Sequence, residues 1–208
     1  MRRSPDDGLS LAPPVSPRPA SDKPRSLRGI VEADETFILE SFKGRRSDLP
    51  RTARKRGGTA RHAGAYQDNI PVLVARDRKG ATFDAVLPQD DSAAIAAALT
   101  GVVAPGNHLI GDGGKSLAAF ARRAKIPFHA APSPGKPTPE APHLHINNVN
   151  AYHGRLKQWL ARFNGVATKN LPNYLGWRRA IEAWADQLAP PNWIKGAIGN
   201  GPYQQLTL

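Results

Sequence analysis

Three β-rich runs precede the first helical pattern in this chain, and that order restricts its fold more than any other feature. The first run, IVEADETFIL (Ile30 to Leu39), is dense in β-branched and aromatic residues, and a period of two sets Glu32, Asp34 and Thr36 on one face. NIPVLVARDRKG and ATFDAVLP follow, separated by the turn-forming Lys79-Gly80, and read as a hairpin. The pattern then alternates. DSAAIAAALTGVV is an alanine-rich helix with Asp91-Ser92 as cap candidates, NHLIGD is a strand, KSLAAFARRA a second helix and IPFHAA a short strand. Strands first and crossover helices afterwards predict an α/β fold, a mixed sheet flanked by helices.

The proline-rich PSPGKPTPEAP separates this sheet from two further helices. In INNVNAYHGRLKQWLARF the apolar residues Val149, Tyr152, Leu156, Trp159, Leu160 and Phe163 have the spacing of one helical face, and LPNYLGWRRAIEAWADQL carries Pro172 near its first turn. Residues 1–28 are rich in proline, serine and charge without apolar periodicity and are expected to form a disordered arm. The folded domain is expected over 29–188, with 189–208 as a tail.

With 29 Lys+Arg against 17 Asp+Glu, the net charge of +12 favours a polyanionic partner, nucleic acid first. The absence of cysteine fits a reducing compartment and excludes cysteine-based zinc sites. No apolar run reaches the roughly 18 residues of a membrane span and no export signal opens the chain, so a cytoplasmic, membrane-free location is expected. The basic stretch Lys43 to Gly64, with Lys43, Arg45, Arg46, Arg54, Lys55 and Arg56, reads as a long loop that is either solvated or laid on DNA phosphates. Arg178 and Arg179 are candidates for the same contact. Trp159, Trp177 and Trp184 fit a core better than base stacking. His143, His145 and His153 fit structural or DNA-facing roles better than zinc.

Chemistry concentrates elsewhere. NHLIGDGGKSLAAF (Asn107 to Phe120) has the outline of a phosphate-binding P-loop, but Leu109 stands where that loop needs glycine, so the phosphate nest is half missing. What remains is Asp112 between a strand end and a glycine turn; Lys115 is a phosphate contact or a solvated residue at a helix start. A carboxylate inside a strand, as Asp34 is, either faces water at an edge or pairs with a cation or donor. Asn150 and Lys157 lie seven residues apart, two helical turns, on one side of the long helix and off its apolar stripe.

The ordered set EADET, IGDGG and HLHINNVNAYHGRLKQWLARFNGVATKNLPNYLGWRR resembles the ISXO-type transposases of bacterial insertion sequences. The resemblance implies an RNase H-like catalytic domain and a DDE-type site whose third position can be Asn, with a companion lysine seven residues on. Carried over residue by residue, Asp34 and Asp112 are the first and second ligands, Asn150 the third-position residue and Lys157 the lysine. It further implies two Mg²⁺ or Mn²⁺ ions, bridged by Asp34, one held by Asp112 and the other given only a neutral carbonyl by Asn150. DNA, as element ends and target, is the implied partner, with a homo-oligomer assembled on it near the nucleoid. Relatives carry an N-terminal cysteine zinc ribbon that this sequence lacks, so a truncated, catalytically weak DNA-binding remnant is the alternative expectation. A free-standing RNase H-like nuclease is a third, needing neither Lys157 nor the basic loop.

Overall fold

The computed structural model describes residues 18–45, 47–51, 68–131 and 141–184, with the isolated positions 191, 194, 195 and 202. Strands β1 (Ile30–Leu39), β2 (Asn69–Asp77), β3 (Thr82–Val86), β4 (His108–Gly111) and β5 (Phe128–Ala130) form one sheet in the order β3-β2-β1-β4-β5. β2 runs against both β1 and β3, whereas β4 lies parallel to β1 and β5 parallel to β4. A 3-2-1-4-5 sheet with only its second strand reversed is the RNase H-like arrangement, and the α/β expectation holds.

Local chemistry explains these elements. At the hairpin, Asp77 Oδ1 accepts the N–H groups of Lys79 (2.9 Å) and Ala81 (3.1 Å), while Gly80 takes the left-handed φ of +93° that the turn needs. Helix α2 (Ser92–Leu99) starts where expected, with Asp91 accepting the Ala94 N–H at 2.7 Å. Helices α3 (Lys115–Ala124), α4 (Asn147–Ala161) and α5 (Leu171–Trp184) follow their apolar periodicity, and a short 3₁₀ turn, Thr168–Asn170, joins the last two.

The sheet is covered on both faces. Val31 and Ala33 of β1 with Leu73 and Ala75 of β2 meet α2 and α3 through Ile95, Leu99, Leu117 and Phe120. Val72, Val74 and Ile110 meet α4 and α5 on the other side through Val149, Tyr152, Leu156 and Leu175. Burial on both faces explains why β2 reads as the unbroken apolar run PVLVA rather than as an alternating strand. Trp184 is buried in the protein, and Trp159 packs edge-on against Phe163 with ring centroids 4.9 Å apart.

Two expectations are corrected here. The arm was expected to be disordered to residue 28, yet Arg18–Ser21 form a helical turn, α1, and Leu27 is buried, its N–H donating to Val102 O at 2.8 Å. Residues 1–17 lie outside the described region. The cause is Arg179. This side chain, expected on DNA, is fully buried; it pairs with Asp84 of β3 and donates to the carbonyls of Ala20 and Asp22, both at 3.1 Å. A buried guanidinium needs acceptors on all sides, and the arm supplies two of them. Arg178 is likewise turned inward, onto Glu182 and above the Tyr152 ring. Glu182 also receives Arg76 (2.9 Å) and Arg155. Burial raises its pKa, but the Arg155 hydrogen bond and the arginine charges outweigh that and hold it below the ordinary value.

Candidate active site

β1 and β4 place the two aspartates. Parallel pairing sets Glu32 opposite Ile110, so Asp34 and Asp112, each two residues further on, come level on neighbouring strands, Asp34 inside β1 and Asp112 just past the end of β4. Asp34 shares the face of β1 that meets α4, with 16% of its side chain exposed. Asp112 stands in the turn beyond β4, exposed, its Oδ1 accepting the Gly114 N–H at 2.8 Å.

The glycines around Asp112 have local packing and backbone reasons. A Cβ on Gly111 would meet Leu117 Cδ1 at 3.1 Å and Phe128 Cε2 at 3.2 Å, so this position lets α3 and β5 close on β4. Gly113 sits at φ +91°, where side chains are strained. Gly113→Ala should therefore cost about 1–2 kcal/mol in chemical denaturation, the usual cost of a left-handed residue with a Cβ. An unchanged midpoint would show that the turn relaxes freely.

α4 lies across β1 and buries Val149, Tyr152, Leu156 and Leu160, which leaves Asn150 and Lys157 exposed, off the buried stripe as their spacing predicted. Its N-terminus is fastened by Glu32, a residue that sequence reading had only placed on the Asp34 face. Glu32 is fully buried and accepts the backbone N–H groups of Asn148 (2.8 Å) and Val149 (2.9 Å) and the Asn148 side-chain amide (2.9 Å). Arg78 pairs with it at 2.6 Å, and His145 lies 3.5 Å away. One turn after Asn150, the buried His153 sets Nδ1 3.7 Å from Asp34 Oδ2.

Charge in this corner is unbalanced. Burial, then the neighbouring Asp112 charge, push the Asp34 pKa up to about 6, against the pull of the Glu35 backbone N–H and the Lys157 ammonium. Glu35, on the opposite face of β1, is pushed up to about 8 by burial and then by Asp34, Asp90 and Asp112, and its Oε1 is buried without a hydrogen-bond partner. His153 is held down to about 4 by burial and then by Lys157, so it is neutral at pH 7. Asp34, Asp112 and Lys157 thus share one electrostatic environment, and Asn150 stands seven residues before Lys157 on the same helix. Among the described residues no three His, Cys, Asp or Glu side chains group closely enough to hold a metal unaided. A divalent ion here would find two hard carboxylates, and a cation would offset both the burial and the Asp112 charge that raise Asp34.

The expected DNA contacts are divided. Lys43 Nζ donates to the carbonyls of Phe163 (2.8 Å) and Gly165 (3.0 Å), which ties the turn after α4 to the end of β1 instead of reaching outward. Arg45 Nε donates to Ser47 O at 3.1 Å. Arg46, Arg54, Lys55 and Arg56 lie outside the described residues, and Arg178 and Arg179 are internal. The histidines are not gathered at one centre: His145 belongs to the Glu32–Arg78 cluster and His153 to the flank of Asp34. Among the described residues no helix is long and apolar enough to cross a membrane.

An uncharacterized protein in transposable element ISH50 of Halobacterium salinarum is 44% identical over 61 residues, a stretch that takes in 28% of this chain and 20% of that protein. Among solved structures, a pre-cleavage Mos1 transpososome (16% identity, TM-score 0.32) and a Mos1 transposase paired-end complex with left transposon end (18%, TM-score 0.31) each align over 84% of this chain and 56% of theirs. The chain thus spans a fifth of its curated relative and little over half of the Mos1 chains. Residues 26–178, well over half the chain, match the ISXO2-like transposase domain, and the chain belongs to that family of insertion-sequence transposases.

Proposed function

We propose that this chain cleaves and joins DNA at insertion-sequence ends by metal-dependent in-line phosphoryl transfer, with Asp34, Asp112, Asn150 and Lys157 as its catalytic set. The supporting observation is that Asp34, inside β1, comes level with Asp112, just beyond the end of the parallel β4, and feels both its charge and that of a lysine from α4. A bound divalent ion, Mg²⁺ or Mn²⁺ and two in the full assembly, supplies Lewis-acid activation of the attacking hydroxyl and stabilises the leaving oxygen. Asp34 and Asp112 hold the charge. Asn150 offers a carbonyl oxygen without charge, so binding on its side is the weaker. Lys157, exposed at the margin, holds a non-bridging phosphate oxygen and partly opposes the burial and the Asp112 charge that raise Asp34. His153, neutral and buried, shields the flank of Asp34 from water. DNA is held further by the basic stretch Lys43 to Gly64, apart from Lys43 itself, and paired ends are held by two or more copies of the chain.

A thermal-shift titration with Mn²⁺ and Mg²⁺ tests the site. Binding to the folded state alone raises Tm, by about 2.7 kcal/mol of stability at a hundred times Kd. The wild type should show that rise and Asp112→Asn should lose it. A rise of equal size in both, or in neither, removes the metal site and with it the catalytic reading.

A further inference from the structure

We infer that Glu32 is a positioning residue for the transposition site: it fixes α4 over β1 and so sets Asn150 and Lys157 against Asp34. This rests on the catalytic reading above and adds to it a residue outside the Asp-Asp-Asn-Lys set. The observation is a fully buried carboxylate, two residues before Asp34 on the same strand face, whose contacts converge on the start of one helix. Two consecutive backbone N–H groups of the first turn of α4, from Asn148 and Val149, reach the same oxygen, Oε2, and the Asn148 amide reaches Oε1.

Helix N-termini present unpaired N–H groups and a partial positive charge, and capping side chains usually belong to the helix or the residue before it. No side-chain cap is present at Ile146, the residue before α4. The cap comes instead from 116 residues away, from the strand that carries Asp34. One carboxylate therefore joins the two elements that must keep register for the site to exist. Asn150 follows Asn148 by two residues and Asp34 follows Glu32 by two, so the cap lies two residues from each.

Arg78 completes the device from the β2–β3 turn. Its Nη1 pairs with Glu32 Oε1 at 2.6 Å and its Nη2 donates to the carbonyls of His143 (2.6 Å) and His145 (3.3 Å), which holds down the segment that leads into α4. An internal carboxylate would be costly alone; here it has three N–H donors and a guanidinium.

The test compares three variants of the full chain by isothermal titration with Mn²⁺ and by Tm without metal. Glu32→Gln keeps the size and removes the charge. Arg78→Gln leaves Glu32 in place and removes its counter-charge at a half-buried site, which keeps the comparison possible if Glu32→Gln fails to fold. Leu99→Ala lowers stability from the far face of the sheet without touching α4. Loss of a group that orients metal ligands costs about 10–100-fold in metal affinity. Glu32→Gln should lose Mn²⁺ affinity about tenfold or more and Arg78→Gln by a smaller factor, with Leu99→Ala unchanged though its Tm falls as far. If Leu99→Ala weakens Mn²⁺ equally, or if neither Glu32→Gln nor Arg78→Gln weakens it while the wild type binds, Glu32 is a structural cap only. A wild type that binds no Mn²⁺ overturns this inference together with the reading beneath it, and that outcome is distinct from the others.

Discussion

Asp34→Asn should melt higher than the wild type at pH 7.5 without metal, gain nothing from Mn²⁺ and lose DNA cleavage by well over the roughly 100-fold that loss of an outer partner costs. The first part follows from the direction of its shift. The folded-state pKa of Asp34, about 6, lies above its ordinary 3.8, so the folded chain keeps this proton over a range in which the unfolded chain has released it. Its contribution is therefore fully present below about pH 4 and is lost as pH rises through 6. The shift is about two units (6 − 3.8), and at about 1.36 kcal/mol per unit the wild type at pH 7.5 has given up about 3 kcal/mol that a neutral asparagine does not. For a chain of this length that is about 6–12 °C in Tm. The same variant should flatten the fall in stability between pH 4 and 6. Glu35 relaxes as well, because Asp34 is the strongest charge acting on it. A variant that melts below the wild type at pH 7.5 and still responds to Mn²⁺ would mean that Asp34 already has its cation within the protein.

Arg179→Ala should be among the most damaging single changes, with a loss of about 3–5 kcal/mol, the usual cost of stripping one partner from a buried ion pair. Asp84 lies wholly inside, where burial pushes its pKa up and the Arg179 charge is the main opposing influence. Without the guanidinium, Asp84 must take up a proton or unfold its surroundings, and the carbonyls of Ala20 and Asp22 lose their donors. The arm from α1 to Leu27 should then become protease-sensitive. What remains folded at low temperature should bind DNA with an unchanged salt slope, because a side chain inside the protein releases no counterion from the duplex. A shallower slope with unaltered Tm would return Arg179 to the surface.

The two cases mark different limits of sequence reading. Periodicity is a local property, so strand and helix types were legible in order, with the Asp91 cap, the Lys79-Gly80 turn and the apolar stripe of α4. The placing of Asn150 and Lys157 off that stripe was legible for the same reason: helical geometry alone decides it. Asp34 and Asp112 could be named as ligands only by resemblance, because nothing local says that β4 will pair parallel to β1 with Glu32 level with Ile110.

Charge was the least legible property. Lys43 and Arg179 read as free cations because their acceptors lie 120 residues away on the turn after α4 and 95 away on β3, whereas the partner of Arg178, Glu182, stands four residues along the same helix and was open to reading. Glu32 gave no sign of its role, since the amides it caps are 116 and 117 residues downstream. What the sequence determined by itself is which segments are strands and helices and which faces of them are apolar, since these follow from steric preference and side-chain spacing along a few residues. Only the tertiary structure decided which charges are spent inside the protein and which remain to hold metal and DNA, because an ion pair depends on distance in space, and the sheet brings together residues that the chain keeps far apart.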